Sequence, residues 1–153
     1  MKKICLPIFL FVACIAFTKK INAQQADTAA YTGAVPTKAL YLAAYQLDNG
    51  DSAKIRGTLH NIANALGDIR LAGKLKVELV VHGEGVKALM KDGIFEQDLL
   101  ALKKKGVIIA ECLNTMRARN ITKEQLYDFV SFVPSGNGEL IILAQQGWSV
   151  IHP

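Results

Sequence analysis

The stretch Lys74–Gly85, KLKVELVVHGEG, decides how the chain is read. Its Val- and Leu-rich run, Lys74 to Val81, reads as a buried strand that stops on His82-Gly83-Glu84-Gly85. Glycines at the end of such a strand mark a sharp turn into a helix. Working outward, the same grammar recurs. Lys38–Leu47 (KALYLAAYQL) is an apolar strand followed by the turn and N-cap cluster Asp48-Asn49-Gly50-Asp51. From Ser52 to Leu71, the residues Ile55, Leu59, Ile62, Leu66 and Ile69 recur at helical steps on one face, and Gly73 closes that helix. Helical material returns at Val86–Lys91 and Glu96–Lys105, where Lys103-Lys104-Lys105 suits the negative end of the helix dipole and Gly106 stops it. Val107–Cys112 (VIIAEC) is the third strand. Short helical turns follow at Thr115–Arg119 and at Thr122–Asp128, with Thr122 as cap. A fourth strand, Phe129–Val133, is stopped by Pro134-Ser135-Gly136, a helix spans Glu139–Gln146, and Trp148–Ile151 is the last strand. Strands alternating with helices at short spacings predict an α/β fold: a three-layer α/β/α sandwich with a five-stranded, mainly parallel sheet.

The N-terminus has a different character. Met1-Lys2-Lys3, the 14-residue apolar run Ile4–Phe17 and the polar Thr18-Lys19-Lys20 follow the order of a signal peptide. That run falls short of the roughly 18 residues a membrane-spanning helix needs. Cleavage after Ala23 of Ile21-Asn22-Ala23 is expected, which gives a 130-residue exported, periplasmic chain with no membrane attachment. The rival reading lipidates Cys14, but Phe11 fits that signal poorly and apolar residues continue past Cys14. Residues 24–37, polar and without periodicity, read as a flexible leader, and the domain occupies 38–153.

Removing the signal changes the charge argument. The formal charge of +5 includes Lys2, Lys3, Lys19 and Lys20, so the remaining chain carries +1. No basic stripe interleaved with aromatics is left, and nucleic acid is not an expected partner. Cys5 and Cys14 also leave, so Cys112 stands alone in a compartment where thiols are usually paired.

In open parallel sheets, sites form beyond the carboxyl ends of the strands. Three such ends carry polar groups: His82, Gly83 and Glu84 after the second strand, Cys112 and Asn114 after the third, and Pro134, Ser135 and Gly136 after the fourth. Neighbouring strands would gather them on one rim with Cys112 in the middle. A strand-to-helix junction aims backbone N–H groups at the Cys112 thiol, with Arg117 and Arg119 nearby, a setting that lowers a thiol pKa. His82 is the candidate to orient or deprotonate that thiol, while Glu84 and Glu111 read as solvated carboxylates. Cys112 as a small packed hydrophobe is the plainer alternative. Gly83-Glu84-Gly85 with Ala88 formally matches a dinucleotide fingerprint, but Glu84 puts a negative charge where a pyrophosphate would approach. His60, His82, His152 and Cys112 lack the close pairs of a zinc motif, so neither metal nor cofactor is expected. A C-x-x-C redox pair and a G-x-S-x-G elbow are likewise missing.

Four segments, taken together and in order, carry a family resemblance: LHNIANAL (59–66), VELVVHGEGVKAL (77–89), GVIIAECLNTMRARNI (106–121) and VPSGNGELIILAQQGWSVIHP (133–153). The chain resembles the DsrE/DsrF-like proteins of sulfur relay from about Leu40 to Pro153. That resemblance implies a five-stranded α/β/α fold and a homo- or hetero-oligomer, often built from trimers; the partners expected are further copies in a homo-oligomer (trimer or hexamer) and a sulfur donor or acceptor protein. It also implies a persulfide on the cysteine after the third strand, which is Cys112. The function expected is therefore that of a periplasmic sulfur carrier or sulfurtransferase, with a non-catalytic oligomeric binding module as the alternative.

Overall fold

The computed structural model of the protein describes residues 30–153. The signal segment 1–23 and the first part of the leader lie outside the described residues. Residues 30–37 carry no regular secondary structure, and the backbone N–H groups of Thr37 and Lys38 donate to the Tyr41 hydroxyl at 2.7 and 3.0 Å.

Five strands, β1 (Tyr41–Leu47), β2 (Leu75–Val81), β3 (Ile108–Cys112), β4 (Ser131–Val133) and β5 (Ser149–Ile151), form one sheet in the order β4-β3-β2-β1-β5. Every pairing is parallel. The helices are α1 (Ser52–Gly67), α2 (Glu96–Lys104), α3 (Leu113–Arg119) and α4 (Gly136–Gln145). The chain steps from β1 to β4 in one direction and then crosses the sheet to lay β5 beside β1. Right-handed crossovers send α1, α2 and α3 to one face and the returning α4 to the other. The side chains sort accordingly. Tyr45, Leu47, Val77, Leu79, Val81 and Ile109 pack with Ile55, Leu59 and Ile62 of α1 and Leu99 and Leu102 of α2. The alternating Ala44 and Val80 meet Leu140 and Leu143 of α4, with Trp148 at their margin. Two cores on opposite faces of one sheet make the three-layer α/β/α sandwich.

Several elements differ in their bounds from the sequence reading: α3 begins at Leu113, β4 is only Ser131–Val133 and α4 already opens at Gly136, and three further differences have a local cause. Helix α1 ends at Gly67, because Asp68 turns extended and its carboxylate takes the Arg70 N–H at 2.9 Å and the Arg70 guanidinium at 2.6 Å. Ile55, Leu59 and Ile62 are buried as their spacing predicts, but Ile69 falls beyond the helix and is 89% exposed. The helix expected over Val86–Lys91 is a 3-10 helix over Gly83–Leu89. The turn expected at Thr122–Asp128 contracts to a 3-10 turn at Lys123–Gln125, with Thr122 and Gln125 forming a reciprocal capping box.

The Gly83-Glu84-Gly85 turn has a steric origin. Gly83 adopts a left-handed φ of +58°, and a Cβ at Gly85 would sit 2.2 Å from the Leu47 carbonyl oxygen at the end of β1. Backbone packing thus accounts for both glycines without any bound phosphate. Gly85→Ala should destabilise the fold by about 2–3 kcal/mol, seen as a lower urea midpoint at unchanged slope. A loss below about 1 kcal/mol would mean that the 83–89 segment moves aside freely, contrary to this account.

Candidate active site

The topology puts the carboxyl ends of β2, β3 and β4 side by side. Val81 pairs with Glu111 and Cys112 with Val133, so His82 and Cys112 follow at the same level of the sheet. Together these ends shape a cavity of about 320 Å3 lined by His82, Gly83, Cys112, Asn114, Thr115 and Arg119, with Ala118, Ser135, Gly136 and Asn137 completing the wall. The structure therefore brings together six of the residues singled out in the sequence: Cys112, His82, Gly83, Asn114, Ser135 and Gly136. Pro134 lies in the turn that enters α4 and outside the lining, as does Glu84.

Cys112 is 4% exposed and occupies the N-cap position of α3. Burial pushes its thiol pKa up. The backbone N–H of Gly136, the backbone N–H and hydroxyl of Thr115, and the backbone N–H of Asn114 outweigh that effect, and the pKa lies below the usual thiol value. Two helices converge on the sulfur. Asn114 and Thr115 belong to the first turn of α3, and Gly136 opens α4, whose cap Ser135 Oγ takes the Gly138 N–H at 3.2 Å. Gly136 is needed where it stands, since a Cβ there would approach His82 Cβ at 2.9 Å.

Thr115 entered the sequence reading only as the start of a short helical turn, with no role for its hydroxyl. Its hydroxyl oxygen accepts the Gly83 N–H at 2.9 Å, which ties the β2 turn to α3. With that lone pair engaged, the hydroxyl proton is free to serve the Cys112 sulfur. The signal available was an S/T residue in the first turn after a strand-end cysteine, too common a pattern to single out.

The charged groups are placed less simply. Arg119 lines the cavity and pairs with Glu84 at 2.6 Å, and Lys87 reaches Glu84 at 2.9 Å. Lys87 and Arg119 hold the Glu84 carboxyl below its usual range. Arg117 points elsewhere, hydrogen-bonded to Asn114 Oδ1. Glu111 overturns the expectation of a solvated carboxylate. It shares the alternation of Ile109, so it faces the larger core, is fully buried, and neither carboxylate oxygen has a hydrogen-bond partner. Burial, followed by the charge on Cys112, pushes its pKa up to about 8.

Comparison with known proteins places this chain in a family. The family model described as DsrE/DsrF-like family matches residues 38–153. The chain belongs to the DsrE/DsrF-like family. Among solved structures, the protein of unknown function MTH1491 from Methanobacterium thermoautotrophicum is 27% identical with a TM-score of 0.70, over 74% of this chain and 99% of that one. The ychN protein from E. coli, 19% identical with a TM-score of 0.55 over the same shares, has the same fold. No curated protein matches. DsrE/DsrF-like membership gives the chain a sulfur-relay-type fold, with Cys112 at the rim where its strand ends converge.

Proposed function

We propose that the protein is an exported sulfur carrier in which the Cys112 thiolate accepts a sulfane sulfur and hands it on. The observation that carries this reading is the thiol in a polar cavity, met by N–H groups from the first turns of two helices and by the Thr115 hydroxyl. Such a setting favours an anionic sulfur, whether thiolate or persulfide. In the loading step the thiolate attacks the outer sulfur of a donor persulfide R–S–SH. The Cys112 S–S bond forms, the donor S–S bond breaks, and R–S⁻ leaves with the electron pair. Attack by an acceptor thiolate on the new outer sulfur reverses the exchange and restores the Cys112 thiolate, so one cysteine suffices.

Location and assembly are part of the same proposal. Residues 1–23 act as a cleaved signal, and the mature domain works in the periplasm as a homo-oligomer, trimer or hexamer, beside a sulfur donor or acceptor protein. Ile108, Ile141, Ile142 and Val150 are apolar side chains left exposed in the single chain, the kind of surface an assembly buries.

The test is mass spectrometry of the mature chain after treatment with a low-molecular-weight persulfide. A gain of about 32 Da confined to the Cys112 peptide is expected, abolished in Cys112→Ser and discharged by an added thiol. No gain in the wild-type chain would reject the carrier reading and favour a binding module in which Cys112, 4% exposed, is only packed.

A further inference from the structure

On the other side of His82 from Cys112, three polar side chains form a chain of contacts that the carrier chemistry does not yet use. Gln46 Nε2 lies 3.1 Å from His82 Nε2 and 3.4 Å from Asp48 Oδ2. The other Asp48 oxygen, Oδ1, lies 3.0 Å from His152 Nε2 beside the end of the chain. The roles in this row follow from its one unambiguous member. An ionised carboxylate only accepts, so the Gln46 group facing Asp48 is the NH2 and not the carbonyl. The same nitrogen has a second proton, and that proton points at His82 Nε2. His82 Nε2 therefore carries the lone pair, and the neutral ring holds its proton on Nδ1.

We propose that Asp48 and Gln46 are positioning residues that lock His82 as the neutral Nδ1–H tautomer, so that the ring is a hydrogen-bond donor at the Cys112 site and not the base that takes the thiol proton. This rests on the carrier reading for its purpose. The logic agrees with the rest of the cavity, where the contacts to sulfur are N–H and O–H donors. His82 lines the same cavity as Cys112, and a thiolate already stabilised by donors has no need of a base there. The lock also fixes the ring plane against Gly136, whose missing side chain leaves room for His82 Cβ, Cγ and Cδ2.

Long-range 15N–1H correlation spectra of the full mature chain, labelled on histidine, read the tautomer directly at a pH where the ring is neutral. The wild-type chain should show His82 with its proton on Nδ1. Asp48→Asn, which gives the amide of Gln46 no preferred orientation, should produce a mixture, and Gln46→Glu should place the proton on Nε2. A wild-type His82 protonated on Nε2 overturns the proposal, as does an Nδ1–H signal that both variants leave unchanged. The measurement does not involve sulfur loading, so a chain that fails to form a persulfide still reports on the lock. Rates of Cys112 alkylation provide the second readout: Gln46→Glu should change their pH profile, whereas a merely structural role for Gln46 predicts the same profile at lower stability.

Discussion

Replacing Thr115 with Val should slow alkylation of Cys112 at pH 6 by about three- to ten-fold, the balance of two opposing effects. A hydrogen bond to a charged group contributes about 1.5–3 kcal/mol, and one pKa unit corresponds to about 1.4 kcal/mol, so losing the hydroxyl raises the thiol pKa by about one to two units. The thiolate fraction below the pKa falls about ten- to a hundred-fold. Greater basicity then makes the remaining thiolate more nucleophilic, by about 0.4–0.5 log units per pKa unit, which recovers part of the loss. The substitution is otherwise nearly isosteric, although it strands the Gly83 N–H that Thr115 Oγ1 accepts at 2.9 Å. Thr115→Ser keeps the hydroxyl and should stay within about two-fold of the wild type. Equal rates for the Val and wild-type chains across pH 5 to pH 9 would remove the hydroxyl from the account and leave the backbone N–H groups as the sole support.

The second large effect concerns stability and pH, and it centres on Glu111. Its pKa moves from an ordinary 4.5 to about 8 in the folded chain, first through burial and then through the neighbouring Cys112 charge. The folded protein therefore keeps a proton that the unfolded chain releases. Stability from this group is fully present below about pH 4.5 and is lost as pH rises through about 8, with a slope of at most about 1.4 kcal/mol per pH unit. Glu78, buried on β2 and facing Glu139 of α4, adds a similar trend up to about pH 7, where its raised pKa lies. Urea midpoints of the wild-type chain should fall between pH 5 and pH 8, and Glu111→Gln should remove most of that fall, leaving the part due to Glu78. The amide still lacks buried partners, so the variant is expected to be less stable than the wild type at pH 5 and closer to it at pH 8. A wild-type midpoint that does not change over this range would contradict the burial of an unpartnered carboxyl at position 111.

The alternation of strands and helices, the site of Cys112 at the end of β3 and the gathering of three polar strand ends were all legible in the sequence. The reason is that they follow from local chemistry: apolar runs of strand length, glycines and prolines that force turns, and the tendency of consecutive parallel strands to lie side by side. Thr122 was legible as a cap, while its reciprocal partner Gln125 was not. What depends on distant parts of the chain was not legible either. Glu111 and Cys112 are adjacent in sequence, yet strand alternation points one into the larger core and the other to the α4 face. Which face would be sealed was decided only when α1, α2 and α3 packed on one side. Likewise the Thr115 bond to Gly83 spans 32 residues, and the contact of Gln46 with His82 spans 36. Local patterning determined the elements and the position of Cys112. Only the tertiary structure decided which donors surround it, because a hydrogen bond between residues so far apart depends on the register of strands and turns across the sheet, which no local pattern encodes.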